Sequence, residues 1–314
     1  MKNFVTPHDL IDVKSIVNEA IRLKNSSEDQ SQIGKGKTMI LLFFNASLRT
    51  RISSQIAAEK LGMKVLSLDM SATWNLEYEE GTIMRFDTAE HIKDAAAVLS
   101  MYGDIIGVRA FARLENKEED YSDKLINAFH EYCTIPVVNL ESSIRHPLQS
   151  LADMITIEET VVSPNPKIVL SWAPHPRALP HAVVNSFLEW SHLCDHEVTV
   201  TYPQGYELDT NFIKGHKIEL NQNRALEGAD FIYVKNWSAS VDYGKVLSQD
   251  ASWMIDEEKM SKTNNGKFMH CMPIRRNVVA TDGVLDGSQS LMYHQAQNRL
   301  HSAIYVIKSL LENE

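Results

Sequence analysis

The sequence predicts an α/β fold made of two doubly wound parallel-sheet domains of similar size, joined by interdomain helices. Short apolar runs alternate with longer helical patterns along the chain, and strands separated by helices pair in parallel sheets. The chain has 314 residues, which is long enough for two domains. The eight apolar runs therefore divide into two sheets of about four strands each.

Each predicted strand is a run of apolar, often β-branched residues with polar or turn-forming residues at its ends. The runs are Met39–Phe44, Val65–Leu68, Ile105–Val108, Val137–Leu140, Ile168–Trp172, Val198–Tyr202, Phe231–Val234 and Phe268–Cys271. Helical patterns lie at 52–61, 91–101, 123–132, 148–161, 180–191 and 293–311. The polar stretches 24–36 and 114–120 are predicted to be loops.

The domain boundary is predicted near His146 and Pro147. A polar stretch follows the fourth predicted strand there, and Pro147 suits the first turn of a new helix. The amphipathic C-terminal helix could pack on either half. We assign it to the first domain, which then comprises residues 1–146 plus 293–314, and the second domain comprises 147–292.

The composition excludes several classes of function. There are 31 basic and 41 acidic side chains, a net charge of −10, which argues against nucleic acid or an anionic membrane as the main partner. No apolar run reaches the roughly 18 residues of a membrane span. The three cysteines are far apart and the histidines lack metal-ligand spacing, so we expect no disulfide framework, no metal and a cytoplasmic location.

The segment from Asn45 to Arg51 is the most informative part of the chain. An apolar strand stops at Asn45, and Ser47, Arg49 and Thr50 follow at the start of a helix. The first turn of a helix has unpaired N–H groups and a partial positive charge, so it binds anions. Hydroxyl and guanidinium donors make such a site suitable for phosphate. The alternative is an ordinary N-capped helix with solvated arginines.

Polar residues also follow the other predicted strands. Ligands of open α/β sheets bind beyond the carboxyl ends of the strands, so these side chains are candidates for one site. They are Arg109, Glu141, His146, His175, Lys235, Trp237, Cys271, Arg275 and Arg276. Because cations dominate this set, the sequence predicts one or two small anionic substrates.

Three motifs then point to a family. Residues 45–51 resemble the carbamoyl-phosphate signature of the aspartate/ornithine carbamoyltransferases, with Leu48 in place of a usual Thr. Residues 146–149 resemble the family's His-Pro-x-Gln motif, and residues 270–273 its His-Cys-Leu-Pro motif. The chain resembles this family over nearly its whole length. Segments 172–176, 235–237 and 271–277 resemble the acylornithine branch.

The resemblance implies an enzyme without a cofactor. Such an enzyme transfers the carbamoyl group of carbamoyl phosphate to the δ-amine of an N2-acylornithine, in arginine biosynthesis. The first domain would bind carbamoyl phosphate and the second the acylornithine. The family also implies a homotrimer with shared active sites, in which Trp74 reaches into the site of a neighbouring subunit.

The resemblance also assigns the site residues. Those expected to bind carbamoyl phosphate are Ser47, Leu48, Arg49, Thr50, Trp74, Arg109, His146, Gln149, Cys271, Met272 and Arg299. Among them Arg109, His146 and Cys271 are expected to be catalytic. Those expected to bind the acylornithine are Glu141, His175, Lys235 and Arg275. The ordinary alternatives are surface ion pairs for the charged residues and a buried, inert thiol for Cys271.

Ala89 is the candidate specificity residue. The acetyl enzymes of the branch carry Glu at this position and the succinyl enzymes typically carry Pro. A carboxylate there would repel the carboxylate of a succinyl group, and Ala89 removes that repulsion. The sequence therefore favours N2-succinyl-L-ornithine as substrate, with N2-acetyl-L-ornithine as the alternative. An alternative of another class is a non-catalytic paralogue that binds the ligands without turnover.

Overall fold

The computed structural model describes residues 1–85 and 87–312. The strands are β1 (Thr38–Phe43), β2 (Lys64–Asp69), β3 (Asn75–Glu77), β4 (Thr88–His91), β5 (Ile105–Arg109), β6 (Val137–Glu141), β7 (Ile168–Trp172), β8 (Val198–Thr201), β9 (Lys217–Ile218), β10 (Phe231–Lys235) and β11 (Lys267–Met269). The helices are α1 (Val13–Lys24), α2 (Arg49–Lys60), α3 (Ile92–Tyr102), α4 (Lys117–Tyr121), α5 (Lys124–Tyr132), α6 (Pro147–Thr160), α7 (Ala182–Leu193), α8 (Thr210–Ile213), α9 (Gln222–Leu226), α10 (Glu257–Ser261), α11 (Asp282–Asp286) and α12 (Met292–Leu311). Short 3₁₀ turns lie at Pro7–Asp9, Met70–Ala72 and Ala251–Trp253.

Two parallel sheets confirm the predicted fold class. The first has the strand order β2-β1-β5-β6 and the second the order β11-β10-β7-β8-β9. Every strand pair in both sheets is parallel. Each sheet, together with the helices on its two faces, forms what we call the first lobe and the second lobe. All eight predicted strands are present.

The central strands are apolar because both of their faces are covered. All five residues of β5, β6, β7 and β10 are buried. The strand β2 differs, since it lies at an edge and leaves several side chains exposed. The carboxyl ends of β1, β5 and β6 lie side by side, because Phe43 pairs with Arg109 and Arg109 with Glu141.

The prediction missed several short elements. The strands β3 and β4 pair with each other in a small ribbon, and β9 extends the edge of the second sheet. The residues of β9 are exposed, those of β3 and β4 are mostly half-buried or exposed, and all three strands lack an apolar run. The predicted loop 114–120 was wrong in part, because α4 begins at Lys117. The side chain of Asn116 caps that helix by accepting a hydrogen bond from the N–H of Glu119.

The helices α6 and α12 occupy the middle of the molecule. Eleven consecutive residues of α6, from Pro147 to Ile157, are buried. The helix α12 packs on α6 and also on α2 of the first lobe. Within the described residues, none of the helices combines the length and the apolar character that a bilayer crossing requires.

A buried polar contact also joins the lobes. The side chain of His181, which precedes α7, lies between the Tyr121 hydroxyl of α4 and the carbonyl oxygen of Ser238, with distances of 2.8 and 2.9 Å from its Nδ1 and Nε2. Nε2–H donates to the carbonyl, so Nδ1 accepts from the Tyr121 hydroxyl. Burial lowers the pKa of His181 to about 4.

This histidine should make the protein less stable in acid. The unfolded chain binds a proton near the ordinary histidine pKa of about 6.5, whereas the folded chain holds His181 neutral until about 4. Its contribution is therefore complete above pH 6.5 and is lost as the pH falls. Acidification from about pH 7 to about pH 5 should cost about 2 kcal/mol through this residue.

Urea unfolding at both pH values, for the wild type and His181→Asn, measures the effect. The variant should lose about 2 kcal/mol less than the wild type over this interval. An equal loss in both proteins would show that His181 is not the group that titrates.

Candidate active site

The first strand ends at the start of α2. The helix begins at Arg49, three residues before the predicted start, and the residue at its N-cap, Leu48, provides no side-chain hydrogen bond to the first turn. Thr50 is buried, Ser47 and Arg49 are half-buried, and Leu48 is exposed. The first N–H groups of α2 therefore donate no hydrogen bond to an N-cap side chain, and the predicted hydroxyl and guanidinium side chains lie on the same turn.

Arg109 connects this turn to the neighbouring strands. Its Nη1 donates to the carbonyl oxygens of Asn45 at 3.1 Å and Ala46 at 2.8 Å, and its Nη2 donates to Oε2 of Glu141 at 3.2 Å. The guanidinium also lies 3.9 Å from the ring centre of Phe111. Arg109 is only 5% exposed, so these contacts fix its position. Its Nε, which is buried, makes no hydrogen bond to any described residue.

Glu141 and His146 follow β6 and are both buried. Nε2 of His146 lies 3.5 Å from Oε2 of Glu141, which is longer than a normal hydrogen bond. Burial, with the charges of Arg299 and Arg109, holds the pKa of His146 well below its ordinary value. The imidazole is therefore neutral at neutral pH and keeps one N–H to donate. Burial raises the pKa of Glu141, and Arg109, Arg299 and Lys235 oppose that shift.

Arg299 of α12 contacts both the start of α2 and the start of α6. Its Nη1 donates to Oε1 of Gln149 at 2.5 Å, and its Nη2 donates to Oγ1 of Thr50 at 3.0 Å. The side chain is buried, and its Nε has no hydrogen-bond partner among the described residues. The ordinary alternative of a surface ion pair is therefore wrong for Arg299.

The second lobe contributes residues from the carboxyl ends of β7, β10 and β11. Lys235 is buried and its Nζ donates to the carbonyl oxygen of Asn236 at 2.7 Å. Burial lowers the pKa of Lys235, and nearby Cys271 and Glu141 oppose the shift. The charge of Lys235 acts on Glu141 and that of Arg49 acts on His270, so the carboxyl ends of the two sheets lie near each other.

His175 and Arg275 lie at the outer margin of this region. Nε of the exposed Arg275 donates to Nε2 of His175 at 3.0 Å. Nε2 is thus the acceptor, so the proton sits on Nδ1, which lies 2.8 Å from the carbonyl oxygen of Arg177. Burial lowers the pKa of His175, and the positive charge of Lys235 lowers it further.

The segment after β11 has an unusual backbone. Met272 has a φ of 55°, a left-handed conformation that costs energy for a residue with a long side chain. The backbone N–H of Met272 donates to Nδ1 of His270 at 2.8 Å, and that of His270 donates to Oε1 of Gln295 at 2.9 Å. Burial raises the pKa of the Cys271 thiol, which the charge of Lys235 opposes. The thiol is therefore mainly protonated at neutral pH.

Two of the predicted site residues, Trp74 and Ala89, do not join the cluster of buried cations. Trp74 is 59% exposed, and its Nε1 donates to Oε2 of Glu90 at 2.9 Å. Ala89 is exposed on β4, in the small ribbon. Both therefore lie on the surface near β3 and β4 rather than among the buried cations.

Sequence reasoning missed three residues that organise the cluster. Oδ1 of Asn45 accepts from the N–H of Phe111 at 2.6 Å, which joins the turn after β1 to the segment after β5. Asp153 lies between α6 and α12 and accepts hydrogen bonds from Gln149 and from Gln295. A spacing of four residues, from Gln149 to Asp153 and from Gln295 to Arg299, was the available signal, because such pairs share a helix face.

Other surfaces do not match this chemistry. A cleft of about 650 Å³ lies at the outer edge of the second sheet and is lined by side chains of both charges, such as Lys217 and Glu219. Among the described residues, no group of three or more His, Cys, Asp and Glu side chains could hold a metal ion. The buried cations between the lobes remain the strongest candidate site.

The comparisons with known proteins agree with this geometry. Residues 2–159 match the carbamoyl-P binding domain of the aspartate/ornithine carbamoyltransferases, and residues 180–311 match their Asp/Orn binding domain. An N-succinylornithine carbamoyltransferase of Bacteroides fragilis is 48% identical, over 100% of this chain and 99% of the relative. An N-acetylornithine carbamoyltransferase of Xylella fastidiosa is 36% identical, over 96% of each chain.

Solved structures give the same answer. An acetylornithine transcarbamylase complexed with acetylcitrulline superimposes with a TM-score of 0.93 at 34% identity, over 99% of both chains. A mutant of N-acetyl-L-ornithine transcarbamylase, complexed with carbamyl phosphate and N-succinyl-L-norvaline, gives a TM-score of 0.92 at 34% identity, over 99% of this chain and 100% of that one. This chain belongs to the aspartate/ornithine carbamoyltransferase family.

Proposed function

We propose that this carbamoyltransferase transfers the carbamoyl group of carbamoyl phosphate to the δ-amine of N2-succinyl-L-ornithine. The products are N2-succinyl-L-citrulline and phosphate, and the reaction is a step of arginine biosynthesis. The observation that carries the proposal is the meeting of Thr50, Arg109, His146 and Arg299 at the carboxyl ends of three parallel strands. The three unpaired cysteines support a cytoplasmic location within the same proposal.

Each of the two lobes is assigned one of the two substrates. We propose that residues 1–146 plus 293–314 form the carbamoyl-phosphate-binding domain and residues 147–292 the acylornithine-binding domain; residues 86, 313 and 314 lie outside the described part. The packing of α12 on α2 supports its assignment to the first domain. Its packing on α6 makes the same helix a link between the domains.

The phosphate of the donor fits the turn at the start of α2. The N–H groups there, the hydroxyls of Ser47 and Thr50, and the guanidinium of Arg49 are donors for phosphate oxygens. Leu48 contributes through its backbone and leaves its side chain exposed. Arg299 already binds Thr50, and its Nε is a further donor on this side.

The carbamoyl group needs polarisation and orientation. His146 is neutral and buried, so one of its nitrogens can donate to the carbonyl oxygen on which negative charge grows during attack. Arg109 adds a fixed positive charge nearby. Gln149 holds the carbamoyl amide, and the backbone of Cys271 and Met272 closes the opposite side. Cys271 acts here without forming a covalent bond.

The acylornithine then binds against the second lobe. Lys235 and Arg275 offer positive charge to carboxylates, and His175 extends this surface. Glu141 can accept a hydrogen bond from an amine or amide N–H of the substrate. The δ-amine attacks the carbamoyl carbon, and the C–O bond to phosphate breaks. The amine proton is lost in this step, and the departing phosphate is an acceptor already in the site.

The uncharged side chain of Ala89 supports the succinyl substrate. A succinyl group carries a carboxylate that an acetyl group lacks, and Ala89 brings no negative charge to the ribbon. Mutants of N-acetyl-L-ornithine transcarbamylase in which one glutamate is replaced by alanine or proline have been crystallised with N-succinyl-L-norvaline. The 48% identity to an N-succinylornithine carbamoyltransferase supports the same choice.

A homotrimer with shared active sites is part of the proposal. The edge strand β2 exposes Leu66 and Leu68 on one face, and α2 exposes Ile52 and Ile56 one turn apart. An apolar face beside an open sheet edge favours association with another chain. Trp74 is exposed in the same lobe and, in a trimer, would reach a neighbour's site.

The substrate proposal predicts that the wild-type protein carbamoylates N2-succinyl-L-ornithine far faster than N2-acetyl-L-ornithine. An assay of phosphate release and citrulline formation with both substrates measures this. Faster reaction of the acetyl compound would contradict the succinyl assignment, and no acylornithine-dependent phosphate release would point to a non-catalytic protein.

The phosphate-binding role of Arg49 is tested in the same assay. Arg49→Ala should lower kcat/KM by about 10²- to 10³-fold. The control Arg224→Ala, which removes an exposed arginine of α9, should keep the wild-type kcat/KM.

The specificity proposal predicts the effect of Ala89→Glu. The new carboxylate should repel the succinyl carboxylate and lower kcat/KM for the succinyl substrate by about tenfold or more. The acetyl substrate should be far less affected. Ala89→Gln is the matched control, because it adds the same bulk without charge. Equal effects of the two substitutions would show that size, rather than charge, determines specificity here.

The assembly proposal predicts a particle of three chains in sedimentation velocity. Leu66→Lys places a charge on the exposed face of β2 and should yield smaller species with lower activity. Leu220→Lys, an equally exposed leucine of the second lobe, is the control and should remain trimeric. A wild-type protein that sediments as a single chain would contradict the proposal.

A further inference from the structure

A buried carboxylate lies between α6 and α12, and the proposed chemistry does not use it. Asp153 is fully buried. Its Oδ1 accepts hydrogen bonds from Nε2 of Gln149 and from Nε2 of Gln295, both at 2.7 Å. A carboxylate without a cationic hydrogen-bond partner is costly to bury, so its position calls for a specific reason.

The two hydrogen bonds determine how each glutamine is oriented. An amide can present either its oxygen or its NH₂ group, whereas a carboxylate only accepts. Because both NH₂ groups point at Asp153, both amide oxygens must point away from it. Oε1 of Gln149 therefore accepts from Nη1 of Arg299, and Oε1 of Gln295 accepts from the N–H of His270.

Each glutamine in turn connects to one side of the active site. Arg299 continues to Thr50 at the start of α2, and His270 continues to the N–H of Met272. A reversed Gln149 would present its NH₂ group to a guanidinium that can only donate. A reversed Gln295 would leave the buried N–H of His270 without a partner, which costs about 1–3 kcal/mol. The continuous chain is Thr50, Arg299, Gln149, Asp153, Gln295, His270 and Met272.

We propose that Asp153 is a positioning residue: by orienting Gln149 and Gln295 it holds Arg299 on one side of the donor site and the 270–272 backbone on the other. This inference rests on the proposed function, since it concerns the same carbamoyl-phosphate site. Asp153 contacts no substrate and acts through the two glutamines.

The protonation state of Asp153 is consistent with this role. Burial raises its pKa to about 6, and the hydrogen bonds from Gln295 and Gln149 and the charge of Arg299 oppose the shift. At pH 7 and above it is therefore mainly a carboxylate that only accepts. Tyr233 is its other close neighbour, and burial together with Asp153 raises the pKa of that phenol, which stays neutral.

Two substitutions separate orientation from mere packing. Asp153→Asn keeps one carbonyl oxygen that can accept from both glutamines, whereas Asp153→Leu fills similar space without an acceptor. Titration calorimetry with carbamoyl phosphate, and steady-state kinetics, should show affinity within about threefold of wild type for Asp153→Asn. Asp153→Leu should bind carbamoyl phosphate at least about tenfold more weakly, with a correspondingly raised KM.

Thr156→Val is the matched structural control. Oγ1 of Thr156 accepts from Nδ2 of Asn298 at 2.9 Å, so this residue also joins α6 to α12 through a buried hydrogen bond, away from the site. Its loss should lower the unfolding midpoint without changing the KM for carbamoyl phosphate. If Asp153 has a purely structural role, Asp153→Leu will behave in the same way, and that result overturns the proposal.

The remaining outcomes are also decisive. If Asp153→Leu does not fold, Gln295→Met replaces it, because this change frees His270 and leaves Asp153 bound to Gln149. Its carbamoyl-phosphate affinity should fall at least about fivefold, and an unchanged affinity overturns the proposal. A wild-type protein that neither binds carbamoyl phosphate nor releases phosphate would instead overturn the proposed function, before any variant is compared.

Discussion

An excess of buried positive charge is the constraint on which this site depends. Arg109, Lys235 and Arg299 are each less than a tenth exposed, and Glu141 is the carboxylate that interacts with all three. Burying charge without full compensation is expensive, even when part of it is paired. Packing on several sides holds these cations in place although their charge is not fully neutralised. A multiply charged anion that enters the site neutralises the remaining positive charge. The unfavourable free energy of burying the cations is thereby relieved on binding, which favours a substrate such as carbamoyl phosphate.

The same electrostatics sets the protonation of the reacting groups. The cations that attract an anion also disfavour a second proton on His146, which therefore stays a neutral donor. Burial and Lys235 act in opposite directions on the Cys271 thiol, and burial is the larger effect, so the thiol is protonated. The site thus combines strong positive charge with neutral hydrogen-bond donors. This combination suits a reaction in which negative charge grows on an oxygen without a covalent intermediate.

The strands that are buried in the sheets could be predicted from the sequence. Central strands such as Ile168–Trp172 are buried on both faces, and their apolar runs are visible in the chain. The pair β3 and β4 could not be predicted, since its short, partly exposed strands pair with each other and carry no apolar pattern. The helix α4 had a visible signal in Asn116, but the surrounding run of charges favoured a loop.

Part of the site was equally accessible from the sequence. The rule that ligands lie beyond the carboxyl ends of parallel strands placed Arg109, Glu141 and Lys235 together, and their mutual electrostatic interactions agree with it. Arg299 was accessible only by resemblance, because a lone arginine on an amphipathic helix is usually solvated. Side-chain amide orientation is beyond sequence reasoning altogether. Nothing in the order of residues says which atom of Gln149 faces Arg299, since that depends on a partner from the far end of the chain.

The packing of α6 on α12 brings Gln149 next to these partners from the far end of the chain. The helix α6 is the next element after β6, which carries Glu141, and α12 is the last helix. Their facing pairs, Gln149 with Asp153 and Gln295 with Arg299, are each spaced by one turn, so the polar side chains interdigitate in a single layer. A small shift between the helices would break several of these hydrogen bonds at once. The geometry around the donor is therefore set by the same contact that joins the two lobes, and a change in how the lobes pack must also change how Arg299 meets Gln149.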